Sequence, residues 1–180
     1  REKADEIRNA ASSSIGTSTK SLSLELQQTI RLIKSVQNEI VILDEQIKEL
    51  MIEIDSPIMS IPGISYNLAS IILSEIGDVH RFTNPAKLLA FAGLDPSTYQ
   101  SGKYNATYTP MVKRGSAYLR WAILMASRTV SMQDLTFSNY LAKKQGEGKH
   151  YYIAMSHVAK KLIRVIFYLL TTNTTFIPQI

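Results

Sequence analysis

A long run of apolar residues in steps of three and four constrains the fold of this chain most strongly. The steps along residues 26–54 are 4, 3, 3, 4, 3, 4, 3 and 4, at Leu26, Ile30, Ile33, Val36, Ile40, Leu43, Ile47, Leu50 and Ile54. This is a heptad seam with one slip, and a helix of about 35 residues would be a rod about 50 Å long. The pattern favours a coiled coil over a long amphipathic helix packed on its own domain. The partner would be the segment ending near Gly16, a second chain, or both.

The composition bounds the class of protein. The chain has 180 residues, of which 45% are apolar and 19% charged, so it suits one compact domain with an appendage or two small domains. It contains no cysteine, which excludes disulfides, thiolate nucleophiles and cysteine-based zinc sites and fits a reducing compartment.

Neither a signal peptide nor a membrane span is predicted. The best candidate for a span, residues 162–170, is nine residues long and contains Arg164, whereas a span needs about 18 apolar residues. We therefore expect no membrane partner and a cytoplasmic location. The chain opens at Arg1 inside a charged helical pattern, so we expect a fragment whose N-terminal part is missing.

Charge is divided unevenly along the chain. Residues 1–60 carry 7 basic and 10 acidic side chains, whereas residues 61–180 carry 13 basic and 5 acidic ones. A cationic half of this kind attracts polyanions, nucleic acid first among them. The alternative is a basic surface that only keeps the protein in solution.

The distribution of helix patterns and breakers predicts an all-α, mainly helical fold. Residues 1–57 would form the coiled-coil arm, with a helix remnant broken at residues 12–16 and a long helix that starts near Thr19 or Ser21 and ends at Pro57. Residues 58–180 would form a compact helical domain. Its further helices are predicted at 85–92, 116–131, 134–142 and 151–170.

Three segments of the domain are predicted to lack helix. Residues 95–112 are polar and turn-rich, and their tyrosines and threonines allow one small β-hairpin. Residues 145–149 are predicted to be a loop, and residues 171–180 a loose tail.

The turn at residues 61–64 resembles that of a helix-hairpin-helix. Its sequence is Ile-Pro-Gly-Ile, Ser65 follows as a predicted N-cap, and Gly77 ends the helix. Backbone N–H groups at such a turn bind phosphate, so Gly63 and Ser65 are candidate nucleic-acid contacts. Ser65 stands where many such hairpins have a second glycine, which leaves a plain turn between two helices as the alternative.

No metal or nucleotide motif is present. The basic half has no metal-binding spacing among its carboxylates and histidines, which are Glu75, Asp78, Asp95, Asp134, Glu147, His80, His150 and His157. Glu75 and Asp78 are expected to be solvated.

The polar loop offers a hydroxyl beside cations. Ser101 is followed by Lys103, and Lys113 and Arg114 lie further along. Cations neutralise phosphoryl oxygens, but a serine also needs a base, and none is local. A serine in a loop is otherwise an ordinary linker residue.

Five segments in order resemble the C-terminal transposase domain of the insertion-sequence 110 family, the RNA-guided serine transposases. They are IPGIS, SEIGDVHRF, LLAFAGLDP, QSGK and VKRGSAYLRWAILMAS, within residues 61–130. The coiled-coil rod before them also fits that family. The resemblance implies a DNA transposase or recombinase, active in a bacterial cytoplasm and associated with the nucleoid.

The resemblance also assigns roles to individual residues. Ser101 would be the nucleophile that attacks a DNA phosphodiester and forms a phosphoserine. Lys103, Lys113 and Arg114 would bind phosphates, Gly115 would allow close backbone approach, and Arg120 would face the nucleic acid.

The family's N-terminal RuvC-like domain binds Mg²⁺ through four acidic residues and is not in this chain. The fragment is therefore expected to hold no cofactor, to bind DNA and guide RNA, and to cleave little alone. The coiled coil would make it a homo-oligomer, a dimer or a tetramer.

Two departures and two alternatives stay open. The turn reads PGIS rather than PGIG, and Ser97 competes with Ser101 as nucleophile, whereas Ser116 is expected to be a helix N-cap. The alternative functions are a non-catalytic helix-hairpin-helix module that binds nucleic acid and dimerises, and a purely structural dimerisation protein. A tyrosine recombinase is disfavoured because the loop tyrosines lack an Arg/His constellation.

Overall fold

The computed structural model describes residues 2–16, 19–97, 100–101, 104–105 and 111–178. The described part is mainly helical, which confirms the predicted all-α class. Its α-helices are α1 (Glu2–Ser12), α2 (Lys20–Ile54), α3 (Tyr66–Ile76), α4 (Pro85–Phe91), α5 (Ala117–Gln133), α6 (Leu135–Gly146) and α7 (Tyr151–Thr172). Two 3₁₀ helices cover Pro57–Ser60 and Val79–Arg81. Two short antiparallel strands, β1 (Gln100–Ser101) and β2 (Tyr104–Asn105), form the small hairpin that the sequence predicted.

The chain divides into two compact units, Arg1–Leu43 and Asp44–Ile180. In the first unit every described residue is exposed. The seam side chains from Ile30 to Leu43 are between 43% and 54% exposed, so α1 does not cover them. The long helix is confirmed, while its assembly into a coiled coil stays a prediction.

The second unit has a continuous apolar core centred on α5. This helix packs against α3, α6 and α7, and α4 packs against α7. Its inward residues are those that the helical spacing predicted: Leu119, Ile123, Ala126 and Val130 are all fully buried. The last turns of α2 reach this core through Met51, which is 2% exposed.

Four helices of the second unit start at a side-chain cap. The side-chain oxygens of Ser65, Asn84, Ser116 and Asp134 each accept the backbone N–H three residues ahead. A cap of this type stabilises a helix by about 1 kcal/mol. The predicted N-caps Ser65 and Ser116 are thereby confirmed, and α4 starts at Asn84-Pro85 as expected.

Two predictions about the C-terminal region are wrong. Helix α6 runs to Gly146, so the predicted loop at 145–149 begins two residues too early. The tail after α7 is docked rather than loose: the backbone N–H of Phe176 donates to the Ser60 hydroxyl at 2.8 Å, and its ring lies 5.9 Å from that of Phe137. Both contacts join segments far apart in sequence, which local pattern does not reveal.

Candidate functional site

The polar loop leaves the domain through a narrow, hydrogen-bonded neck. We call this neck the loop base and define it as residues 91–96 and 111–116. Its two sides are joined by backbone hydrogen bonds from Val112 N to Asp95 O at 3.0 Å, from Lys113 N to Gly93 O at 3.1 Å, and from Ser116 N to Phe91 O at 2.8 Å. These backbone hydrogen bonds therefore hold the two ends of the loop together.

Two glycines make this close approach possible. A Cβ on Gly115, which has φ of 106°, would lie 2.1 Å from the Phe91 carbonyl oxygen. A Cβ on Gly93, with φ of 64°, would lie 2.3 Å from the Arg114 carbonyl oxygen. Glycine adopts this backbone geometry without a clash because it has no Cβ atom. The close approach expected of Gly115 is thus made to the protein's own backbone.

Arg120 lies across the loop base instead of pointing freely outward. Its Nη1 donates to the carbonyl oxygens of Ala92 and Lys113, both at 3.2 Å, and the residue is half-buried. The predicted outward orientation is wrong in this respect, because two carbonyls left over at the end of α4 and at the loop exit attract the guanidinium. Its predicted contact with nucleic acid stays a prediction.

The predicted nucleophile lies at the tip side of the loop. Ser101 ends β1 and pairs with Tyr104 of β2. The structure describes the backbone of Ser101, and the predicted phosphate ligand Lys103 lies outside the described residues. The competing serine, Ser97, is half-buried next to the bridge between Pro96 and Met111.

Two of the predicted phosphate ligands stand on the exit side of the loop base. Lys113 and Arg114 are both exposed, and Lys113 has φ of 58°, which is unusual for a residue with a side chain. Ion pairs in the described part of the chain involve only the carboxylates of Asp5 and Glu147. The two cations are therefore available to an anionic ligand.

The turn predicted to bind phosphate is packed against α5. A Cβ on Gly63, with φ of 96°, would lie 2.8 Å from backbone atoms of Thr129 and Val130. The hydroxyl of Ser65, which is exposed, accepts the N–H of Leu68 at 3.3 Å. Close packing and capping thus account for Gly63 and Ser65, and their predicted contacts with nucleic acid, like the helix-hairpin-helix assignment, stay predictions.

Two carboxylates at the loop base have surroundings that the sequence did not predict. Glu75, expected to be solvated, is half-buried and accepts the Ser116 hydroxyl at 2.6 Å, which ties α3 to the start of α5. One oxygen of Asp95 is buried without a hydrogen-bond partner in the described part. Burial lowers the pKa of Lys160, and the charge of Asp95 opposes that shift. The GLDP segment was the one available signal for Asp95.

Among the residues that the structure describes, no group of three or more His, Asp or Glu side chains is arranged to hold a metal ion. The described residues therefore do not fit a magnesium site. Likewise, no helix in the described ranges is long and apolar enough to cross a membrane.

A cluster of aromatic and cationic side chains borders the exit of the loop. Tyr151 and Tyr152 at the start of α7 face a groove that also contains Lys113, Arg120 and Arg128. Sequence reasoning assigned no function to these tyrosines. The signal available was a pair of adjacent aromatic residues at a helix start within a basic region.

The part of the chain that contains this loop is similar to a known family of transposases. Residues 55–142, from before α3 into α6, match a family model described as Transposase IS116/IS110/IS902 family. Residues 55–142 therefore match a transposase domain of that family, in agreement with the resemblance found in the sequence.

Three curated relatives agree with this assignment. The chain is 27% identical to an insertion element IS116 protein of Streptomyces clavuligerus over 84% of this chain and 40% of the relative. It is 28% identical to an insertion element IS110 protein of Streptomyces coelicolor over 67% and 30%. It is 26% identical to the transposase for insertion sequence element IS1328 of Yersinia enterocolitica over 82% and 47%. The chain spans less than half the length of each.

Proposed function

We propose that this chain is the DNA-binding and serine-bearing part of a transposase that cuts and rejoins DNA through Ser101. The observation that carries the proposal is the loop base, whose backbone hydrogen bonds hold the two ends of the loop beside Lys113 and Arg114, which form no ion pair in the described part of the chain. The match to a transposase family supports DNA as the substrate. The family resemblance supports Ser101 as the reacting residue.

The chemistry needs a hydroxyl and a neutralised phosphate. The Ser101 oxygen attacks phosphorus, an Oγ–P bond forms, and one backbone P–O bond breaks, so that the leaving oxygen takes up a proton. The serine's own proton passes to a base outside the described residues. Attack by a strand hydroxyl on the phosphoserine reverses these steps, which conserves the bond energy and needs no nucleotide hydrolysis.

The cations supply electrostatic stabilisation. Lys113 and Arg114, with Lys103, would neutralise the oxygens of the phosphate as charge accumulates on them, which is the largest single contribution in many enzymes. Gly63, Ser65 and Arg120 would contact the DNA backbone further from the reacting phosphate. Gly115 acts indirectly, through the geometry of the loop base.

Parts of the reaction would come from outside this chain. The resemblance implies an acidic RuvC-like domain that brings Mg²⁺, and no group of described residues in this chain is arranged to replace it. We therefore expect the chain alone to bind DNA and a guide RNA in the bacterial cytoplasm, at the nucleoid, and to cleave little. Pairing of α2 with a second copy would give a dimer or a tetramer through a coiled coil.

Substitution of the serine tests the nucleophile. In the chain joined to the acidic domain, we expect Ser101→Ala to abolish the covalent protein–DNA adduct on a cleavable substrate, while Ser97→Ala retains it. Denaturing gel electrophoresis of labelled DNA measures the adduct. An adduct that persists in Ser101→Ala and disappears in Ser97→Ala would assign the reaction to the other serine.

The second candidate is a non-catalytic helix-hairpin-helix module that binds nucleic acid and dimerises. The N-cap Ser65 and the glycine turn before it favour this reading. It predicts that neither Ser101 nor Ser97 forms a covalent adduct with DNA and that Ser101→Ala leaves binding unchanged. Retained binding together with loss of the adduct in Ser101→Ala excludes it.

A further inference from the structure

A groove of about 720 Å³ lies between α5, the start of α7 and the exit side of the loop base. Its volume is in the range of small-molecule and cofactor sites. The serine mechanism uses Lys113 and Arg120 from its lining, but it assigns no role to the tyrosines or to the groove as a binding site. Its lining divides into an aromatic wall, a cationic wall and an apolar floor.

The aromatic wall consists of two tyrosines whose rings are not used in the core. Tyr152 is 75% exposed and Tyr151 38% exposed, and their rings meet edge to face at 5.5 Å between centroids. The His150 ring lies 5.6 Å from that of Tyr152. Exposed aromatic faces held at a helix start are platforms on which a planar ligand can stack.

The cationic wall consists of Lys113, Arg120 and Arg128. Arg128 is exposed on α5, two turns after Arg120, and the lining formed by described residues contains no acidic side chain. None of the three forms an ion pair with a carboxylate in the described part of the chain. The ligand of this wall is therefore expected to be an anion.

The floor is apolar and firm. Met155, which is 7% exposed, belongs to the core of the domain, and the half-buried Leu124 and partly exposed Met125 lie beside it. Methionine adapts its shape to flat apolar ligands. A ligand with a planar, weakly polar group and an attached anionic group would fit this groove. The planar group would lie between the tyrosines and the apolar floor, and the anionic group would contact the cationic wall.

We propose that this groove binds one unpaired nucleotide, with its base on Tyr152 and its phosphate on Arg128 and Lys113. The base has to be unpaired because a duplex covers the faces of its bases by stacking. Lys113 belongs to both the groove and the loop base, so the site would hold a nucleotide of the strand that runs past the loop. This proposal rests on the proposed function in that the strand is nucleic acid.

The test is direct binding, which does not depend on cleavage. Fluorescence anisotropy of this chain with labelled single-stranded DNA, single-stranded RNA and duplex DNA of one sequence would be compared for Tyr152→Ala and Tyr152→Phe. A stacked base contributes about 1–3 kcal/mol, so Tyr152→Ala should weaken single-strand binding about 5- to 150-fold. Tyr152→Phe should retain it, and duplex binding should change little.

The matched controls lie on the same helix, outside the groove. Tyr168 is 59% exposed and Arg164 is exposed, both on α7. Tyr168→Ala and Arg164→Gln should leave the single-strand preference intact, whereas Arg128→Gln should weaken binding and reduce its salt dependence by about one phosphate contact. The nucleic acid whose affinity Tyr152→Ala lowers more, DNA or RNA, identifies the source of the nucleotide, and equal loss assigns the site to both.

Two outcomes would overturn the proposal. One is an equal effect of Tyr152→Ala on duplex and single strands, and the other is no effect on either. Neither result affects the assignment of the nucleophile, which is tested separately by measuring the covalent adduct in Ser101→Ala. If the groove binds single strands but neither serine substitution changes the amount of adduct, this inference is retained and the proposed serine mechanism is rejected.

Discussion

At the residue scale, the loop base depends on two glycines, because a Cβ atom at either position would clash with the backbone. Gly115 and Gly93 leave room for the carbonyls of Phe91 and Arg114, and the guanidinium of Arg120 then closes the neck by donating to Ala92 and Lys113. These contacts join α4 to α5 and fix where the loop emerges. The position of Ser101 relative to the domain therefore depends on residues that do not react.

Gly115→Ala should destabilise the protein by about 2 kcal/mol or more, since it adds a steric clash to the strain of a positive φ. Gly77→Ala is the matched control, because Gly77 has φ of 58° but a Cβ there would meet nothing within 4 Å. Urea unfolding followed by circular dichroism measures both. Equal losses in the two variants would show that the contact with Phe91 is unimportant.

At the element scale, α2 shows two different environments along one helix. Its last turns contribute Met51 to the core of the second unit, whereas its residues up to Leu43 are exposed on every face. The part of this 35-residue helix up to Leu43 has an exposed apolar seam and gains no stability from packing among the described residues. This is the physical basis for proposing a second copy of α2 as its partner.

Polar substitutions on the seam should dissociate the proposed oligomer. We expect Ile33→Asn with Ile40→Asn to weaken self-association at least about 100-fold, because each buried isoleucine contributes about 1.5–3 kcal/mol. Leu24→Asn with Ile42→Asn is the control, since both side chains are similarly exposed but lie on the opposite face of α2. Sedimentation velocity measures the mass; a seam variant with the wild-type mass would contradict the coiled coil.

At the scale of the whole molecule, the charge asymmetry favours nucleic acid in the second half of the chain. From Pro96 to the C-terminus there are 11 basic and 2 acidic residues. Of the two acids, Asp134 is buried as the cap of α6 and Glu147 is paired with Lys144 and Lys149. The cations of this region therefore present a field that is little reduced by carboxylates.

Salt should weaken DNA binding steeply. With about five phosphates neutralised, log K for duplex DNA should fall against log[salt] with a slope of about −4.5. Lys113→Gln with Arg114→Gln should reduce the magnitude of that slope by about 2. Lys34→Gln with Lys48→Gln, on α2, removes the same charge and should leave it unchanged; identical slopes in the two double variants would contradict the placement of DNA at the loop base.

Much of the second unit was predictable because its signals are local. The buried stripe of α5 follows from helical spacing, and the starts of α3 and α5 follow from Ser65 and Ser116, whose hydroxyls bond within their own first turns. The small hairpin was predicted from residue preferences in a polar loop. Each of these features depends on neighbours within four or so positions along the chain.

The features that were predicted wrongly, or not predicted at all, depend on contacts between residues that are far apart in the sequence. Arg120 turns back to Ala92, Glu75 meets Ser116 across 41 positions, and Phe176 meets Ser60 across 116. A pattern of apolar residues identifies which face of a helix is buried but not which distant polar group will meet its edge. A binding role for Tyr151 and Tyr152 was missed for the same reason, because only the folded structure brings them into one groove with Arg128.

The residue pattern alone predicted the helical class, the long helix with its apolar seam, the similarity to a transposase family and the loop that contains the serines. These features depend on periodicity and on short motifs. The neck that holds the loop, the inward turn of Arg120 and the groove beside α7 emerged only on folding. Their hydrogen bonds and surfaces join segments that the chain keeps apart, and such contacts are chosen by packing in three dimensions.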